Sequence, residues 1–299
     1  MRTRCVAVLS VSALLGLTFL ASERVLAQSP EATAAEITVK IDGEYGYGLP
    51  PAVYSENTYG RQVDNLIILI HWFMAPLFFG WGIYFVYCLV KFRARPGHTA
   101  THEMVKAKVT KYIEVGVAIF EVVLLVFLAI PVWGSVKTDF PEDAENPQHV
   151  HVIAEQFAWN FHYPGPDGEF GKLDPTLIDL AINPIGIDED DPRGADDITS
   201  PELHIVKGRP VIVQLGSKDV IHSFSLPVLR VKQDVIPGMR IPVWFEAGKS
   251  GNYEVACAQL CGNNHYSMKA LMTIHETQSG LDEWIADQAP EEFDEDEFD

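Results

Sequence analysis

Two long apolar stretches constrain this chain more than any other feature. Residues 66–90 carry no formal charge and include one group that ionises near neutrality, His71. Residues 112–133 are apolar apart from Glu114 and Glu121. Roughly 20 apolar residues at ~1.5 Å rise each cross a hydrocarbon core, so each stretch is long enough to span a membrane once. The link between them holds Lys91, Arg93, Arg95, Lys106, Lys108 and Lys111 against a lone Glu103. Positive loops stay in the cytoplasm, which puts both flanks of the hairpin on the outside. Trp72, Trp81, Tyr87 and Trp133 suit the interfaces or the packing between helices. Pro76 needs a neighbouring helix to satisfy the carbonyl it frees, and Glu121 should face protein rather than lipid. The hairpin therefore expects membrane partners.

The N-terminus agrees with export. Arg2 and Arg4 precede an apolar run from Val6 to Leu20, and Val25-Leu26-Ala27 offers small residues before Gln28. This reads as a signal peptide over residues 1–27, with an uncleaved anchor as the alternative. Residues 28–65 then form an exported segment ahead of a hairpin at 66–134. The net charge of −19 over 299 residues makes nucleic acid a poor partner and a basic protein a good one. Hydrophobic residues at 47% exclude a disordered chain.

From about Ser135 onward the pattern becomes β-prone. Runs at 149–154, 157–163, 202–206, 210–215, 241–246, 251–256 and 269–275 are rich in Val, Ile, Phe and Tyr, and Gly or Pro punctuates them. Short strands at such spacing indicate an all-β sandwich or barrel, with a domain spanning 135–276. Residues 165–200 interrupt it with an acidic, Pro-, Gly- and Asp-rich surface excursion. A short helix is expected after Glu276, followed by an acidic end; together they make a tail over 277–299, solvated and charged.

Cysteine placement turns the fold towards chemistry. Cys5 falls in the signal peptide and Cys88 in the first span, where it reads as a small apolar residue. Cys257 and Cys261 share the exported domain, and alone they would suggest a disulfide. Their surroundings argue otherwise: Cys257-Ala-Gln-Leu-Cys261-Gly-Asn-Asn-His265-Tyr-Ser-Met268 puts two thiols, an imidazole and a thioether on one loop. That soft set selects copper. Hard cations want oxygen, and zinc has little use for Met. A second imidazole stands upstream in Asp219-Val-Ile-His222-Ser-Phe, expected at the end of a strand starting near Val211. Two Cys, two His and one Met exceed the His₂Cys-plus-Met set of a single blue-copper ion. They match two coppers bridged by both thiolates, with one His each, Met268 on one ion and a loop carbonyl on the other.

With these residues the chain resembles cytochrome c oxidase subunit II, from about Leu66 to Glu276. The supporting motifs are the Cys–Cys–His–Met loop and Asp219-Val-Ile-His222-Ser-Phe-Ser-Leu-Pro227…Lys232-Gln-Asp234-Val-Ile-Pro237-Gly238. The resemblance implies a two-helix transmembrane hairpin followed by a cupredoxin-like Greek-key sandwich. It implies a binuclear copper (CuA) site on His222, Cys257, Cys261, His265 and Met268 with the carbonyl of Gln259. It implies a cytochrome c-type electron donor, partnership with oxidase subunit I and further membrane subunits, and a bacterial-type inner membrane with the copper domain outside. Glu114 matches the family carboxylate near a proton-channel entrance, although a carboxyl at a helix start also favours the dipole. No dioxygen chemistry, and so no catalytic residue, resides in this chain; that belongs to haem in the partner.

Two departures from the family pattern stand out. Gln259 replaces a Glu whose side chain helps hold Mg²⁺ at the subunit I interface, and a neutral amide is a poor ligand for that ion. In Gln156-Phe157-Ala158-Trp159, Phe157 takes the position of the first Trp of a Trp-x-Trp segment, where electrons arrive, and Trp159 reads as a core aromatic. No Cys-x-x-Cys-His motif brings a tethered haem. Other functions in view are a quinol oxidase subunit II, the copper domain of a nitrous oxide reductase, a membrane-anchored copper-binding or copper-delivery protein, and a disulfide-bearing adhesion-like sandwich. The intact ligands, the hairpin and the His and Met around the cysteines favour the electron-transfer subunit.

Overall fold

The computed structural model describes residues 49–56, 58–99, 108–141, 146–188 and 190–288. The signal-peptide segment, most of the exported N-terminal segment and the acidic end at 289–299 lie outside the described residues.

The two apolar stretches form helices α1 (Gly60–Lys91) and α2 (Lys108–Thr138), the second containing a π-helical turn at Leu125–Ala129. At 32 and 31 residues each is about 46–48 Å long, which exceeds a ~30 Å hydrocarbon core. Phe73 stacks on Phe120 at 4.3 Å between ring centroids, and Ser135 Oγ donates to Gln62 Oε1 at 3.3 Å near the opposite ends of the two helices from their connecting link. Most other apolar side chains on both helices, Phe78, Ile83 and Tyr112 among them, are exposed in the single chain. Such a surface needs lipid or protein around it.

Where the hairpin meets the sandwich, Arg230 Nε donates to Asp64 Oδ1 at 2.6 Å, and Tyr54 donates to Asp64 Oδ2 at 2.7 Å. Burial, and then the Asp64 carboxylate, push the Tyr54 phenol up to about 12. Tyr59 donates to the carbonyl of Trp244 at 2.7 Å and meets its indole edge-on. Lys137 donates to Gln233.

Among the described residues ten strands follow: β1 (Gln148–Glu155), β2 (Ala158–Tyr163), β3 (Ile198–Ser200), β4 (Leu203–Val206), β5 (Pro210–Ser217), β6 (His222–Leu226), β7 (Val231–Val235), β8 (Ile241–Glu246), β9 (Gly251–Cys257) and β10 (Lys269–His275). They build two five-stranded sheets, ordered β3-β2-β1-β5-β8 and β4-β10-β9-β6-β7. β1–β5 and β4–β10 are parallel pairs and the rest are antiparallel. Alternation fixes which face is buried. Val150, Val152 and Ala154 of β1 point inward, as do Tyr253, Val255 and Cys257 of β9. Trp159 and Phe161 meet Phe224 and Leu226 in the core, and each large apolar side chain stabilises the fold by about 1.5–3 kcal/mol. Helix α3 (Gln278–Gln288) packs on β4 and β10, with Trp284 stacked on His204 at 3.7 Å.

The all-β sandwich after an apolar hairpin is the architecture expected from the sequence. One detail differs: no single strand runs from Val211 to His222. β5 ends at Ser217, the chain turns, and β6 begins at His222 in the other sheet. Asp219 accepts from the backbone N–H of Val220, and Ser217 Oγ donates to the Val220 carbonyl, so polar side chains close the crossing.

The acidic excursion is ordered by its own carboxylates. Asp167, Asp174, Asp179, Asp188 and Asp191 each accept from the backbone N–H two residues on. These are Asx turns, which explains why Asp rather than Glu dominates the segment. Asp197 pins it to the sandwich by accepting from Gly171 N–H at 2.8 Å and from the buried His162 at 2.6 Å. Its last residues, Ile198–Ser200, join β2 as β3.

Candidate metal centre

One end of the sandwich gathers the soft ligands. His222 opens β6 on its core-facing side, fully buried, beside Phe224 and edge-on to Trp159. Antiparallel pairing sets Phe224 against Cys257, the last residue of β9, so the strand register brings His222 and Cys257 to the same end. Alternation along β9 turns Cys257 into the core after Tyr253 and Val255. The loop from Ala258 to Met268 then folds back under three backbone bonds: Cys257 N–H to Met268 O, Ala258 N–H to Ser223 O and Met268 N–H to His265 O.

The sulfur and nitrogen atoms converge. Cys257 Sγ and Cys261 Sγ are 3.9 Å apart, nearly twice a disulfide bond length, and both thiols are free. His222 Nδ1 lies 4.0 Å from Cys257 Sγ, and His265 Nδ1 lies 3.6 Å from Cys261 Sγ. Met268 Sδ, almost wholly buried, is 3.7 Å from Cys261 Sγ, and the Gln259 carbonyl is 3.2 Å from Cys257 Sγ. Among the described residues, His222, Cys257 and Cys261 form a group of mutually close metal-capable side chains. The donor set therefore fits a thiophilic metal: each thiol has its own imidazole, and one thioether and one carbonyl lie alongside.

Electrostatics prepare this set. Burial, and then the neighbouring Cys257 thiol, push the Cys261 thiol up to about 11. A metal must displace that proton, so uptake should release protons. On the opposite side of the His222 ring, Nε2 donates to Asp219 Oδ1 at 2.8 Å, which leaves Nδ1 as the nitrogen turned to the sulfurs. Burial raises the Asp219 carboxyl, but hydrogen bonds from His222 and from the N–H groups of Gln156 and Val220 outweigh it and hold it below its ordinary range. A carboxylate behind an imidazole fixes both tautomer and ring orientation.

The side chains of the other sequence-derived positions add no donor atom to this cluster, although Trp159 and Phe157 border it. Phe157 is half-buried and its ring packs on Gly262, while Trp159 is a core residue. The Gln259 side chain is exposed, and Glu114 lies exposed on α2. Sequence reasoning assigned no role to Asp219 or Gln156. The first carried a signal, an Asp three residues before the His at a turn; the second carried none, because its contacts are 63 and 105 positions away.

The sequence matches the family described as Cytochrome C oxidase subunit II, periplasmic domain, over residues 149–274. It is 32% identical over 228 residues to the alternative cytochrome c oxidase subunit 2 of Bradyrhizobium diazoefficiens, covering 76% of this chain and 80% of that one. It is 46% identical over 136 residues to cytochrome c oxidase subunit 2 of Thermostichus vulcanus, covering 45% of this chain and 32% of the relative. Among solved structures, the periplasmic domain of subunit II of the Bradyrhizobium japonicum cytochrome oxidase aligns with a TM-score of 0.35 and 26% identity, covering 48% of this chain and 94% of that one.

Proposed function

The chain belongs to the cytochrome c oxidase subunit II family, and on that premise we propose that its sandwich domain is the electron-receiving part of a respiratory haem–copper oxidase. It takes single electrons from a cytochrome c-type donor outside the membrane and hands them to haem in subunit I, where oxygen is reduced to water. The observation that carries this reading is the convergence of two free thiols, two imidazoles and a thioether at one end of the sandwich.

His222, Cys257, Cys261, His265 and Met268, with the Gln259 carbonyl, would hold a pair of coppers. When bound, such a pair supplies one-electron chemistry shared over two metals. The protein's part is to hold the ligands still. His222 is oriented by Asp219, Cys257 is fixed at a strand end, and Met268 and Trp159 exclude water from the inner side. A rigid ligand set keeps the geometry similar with and without the electron. Gln259 contributes a backbone oxygen, and its neutral amide offers little to a hard Mg²⁺ ion.

The hairpin anchors the domain beside membrane partners, which we take to be subunit I and further oxidase subunits of a bacterial-type inner membrane. Glu114 on α2 is proposed to stand near a proton-channel entrance of subunit I. The chain's net charge of −19 steers a basic donor and loses that effect as salt rises. Phe157, whose ring lies against Gly262 beside Cys261, is the proposed point of electron arrival.

Metal analysis and electron spin resonance of the purified full chain test the reading. Two coppers per chain, with hyperfine structure from one electron shared over both nuclei, are expected. One copper with single-nucleus hyperfine, or none with a Cys257–Cys261 disulfide, would remove the function.

A further inference from the structure

Gln156, the first residue after β1, touches both halves of the metal centre from the opposite sheet. Its backbone N–H donates to Asp219 Oδ2 at 2.6 Å, and its side-chain amide donates to the carbonyl of Cys261. The other oxygen of Asp219 accepts from His222 Nε2 at 2.8 Å. One residue thus reaches the imidazole through a carboxylate and the thiol-bearing loop through a carbonyl.

The two halves have separate origins. His222 follows the β5–β6 crossing, whereas Cys261 sits mid-way along the β9–β10 loop. Cys261 has no place in a strand register, so its position depends on what the loop backbone rests against. Gly262 reveals how close that contact is. Its φ is +144°, and a Cβ there would lie 2.8 Å from Gln156 Nε2 and 2.9 Å from two atoms of the Phe157 ring. The β1–β2 turn therefore lies directly on the loop backbone, and glycine is needed for it to do so.

We propose that Gln156 is a positioning residue for the metal centre, a bridge that sets the spacing between His222 and Cys261 from the turn that carries Phe157. The proposal rests on the copper reading above. Removing the amide leaves the Cys261 carbonyl without this donor and frees the loop to shift. Metal ligands tolerate only about 0.5 Å of displacement before geometry degrades, and loss of an outer partner typically costs 10–100-fold in affinity.

The test uses the full chain in its purified oxidase complex, comparing wild type with Gln156→Met, which keeps length and bulk without a donor. Gln156→Glu, which keeps the length but presents a carboxylate to the Cys261 carbonyl, serves as a second variant should the first fail to assemble. Copper retention under a fixed excess of chelator, copper hyperfine structure and the thermal midpoint of the copper-free protein are read together. The expected result is about tenfold faster copper loss and altered hyperfine structure, with the copper-free midpoint unchanged. Retention within about twofold of wild type and an identical spectrum would overturn the role. So would a copper-free midpoint that falls in step with retention, since that marks a brace for the fold alone. Wild type lacking a copper pair would instead overturn the copper reading itself, so the two failures are distinct.

Discussion

Replacing Asp219 by Asn probes how much the carboxylate behind His222 is worth. Oδ1 accepts from His222 Nε2 at 2.8 Å and from Val220 N–H at 2.6 Å, while Oδ2 accepts from Gln156 N–H at 2.6 Å. An amide of the same shape has one acceptor oxygen. If that oxygen keeps the two donors at Oδ1, the new NH₂ group faces the Gln156 N–H, donor against donor. One hydrogen bond to a charged group is lost, worth about 1.5–3 kcal/mol where fully buried. The Asp219 side chain is 31% exposed, so water recovers part of this and about 1–2 kcal/mol remains. Transmitted in full to the His222 contact, that loss lowers copper affinity about tenfold, which corresponds to ~1.4 kcal/mol. Competition with a chelator of known affinity measures it, and nitrogen NMR of the imidazole reports the tautomer. An affinity within about twofold of wild type, with the His222 tautomer unchanged, would refute the claim that Asp219 orients this ligand.

Other consequences are open to direct measurement. Met268→Leu conserves volume at a buried site and should cost less than about 1.5 kcal/mol of stability. It should leave two coppers bound with a changed hyperfine pattern and reduction potential, and an identical spectrum would exclude the thioether as a ligand. Asp64→Ala strands Arg230, which is 8% exposed, with the Pro227 carbonyl and the Tyr54 ring as its remaining polar and aromatic partners among the described residues. Asp64 is partly hydrated, so the cost should be about 2 kcal/mol rather than the 3–5 of a fully buried pair, read by thermal unfolding in detergent. An unchanged midpoint would mean that the ion pair does not couple hairpin to domain. Burial moves both His151 and His204 down to about 4, from an ordinary 6.5, and lowers His275 as well. The unfolded chain thus binds more protons across that interval. Stability is fully present above pH 6.5 and is lost as pH falls towards 4, by on the order of 1 kcal/mol per pH unit for each histidine. A flat midpoint between pH 7 and 5 would contradict these neutral states.

Much of the architecture was legible because periodicity and burial coincide. β8 and β10 fall where runs of β-prone residues between Gly and Pro predict them, and the hairpin is written in two uninterrupted apolar stretches. β3 and β7 were not legible. The Ile-Thr-Ser of β3 is too short, and Val-Lys-Gln-Asp-Val hides an edge strand behind charges that protect its open side. The continuous strand expected up to His222 failed because Ser217 to Ile221 hold a side-chain-closed crossing that hydropathy does not register. At the centre, donor identities followed from spacing on one loop plus one upstream His. Asp219 and Gln156 act through polar contacts fixed only by the packing of two sheets, and no local pattern encodes them.

The bridge at Gln156 also bears on when the centre comes into being. Its contacts join positions 63 and 105 residues apart, and the His222–Cys257 approach spans 35 more locally paired ones. Closing loops of that length costs entropy that only the finished sandwich recovers. No fragment ending before Met268 contains the complete ligand set, so a chain whose export has not yet passed that residue has nowhere to bind metal in its final form. A ligand that binds only the folded state adds about 2.7 kcal/mol at a hundred times its dissociation constant. Copper supply would then act as a late selector among completed chains: those that acquire metal gain lifetime against proteases, and those that do not remain open to turnover.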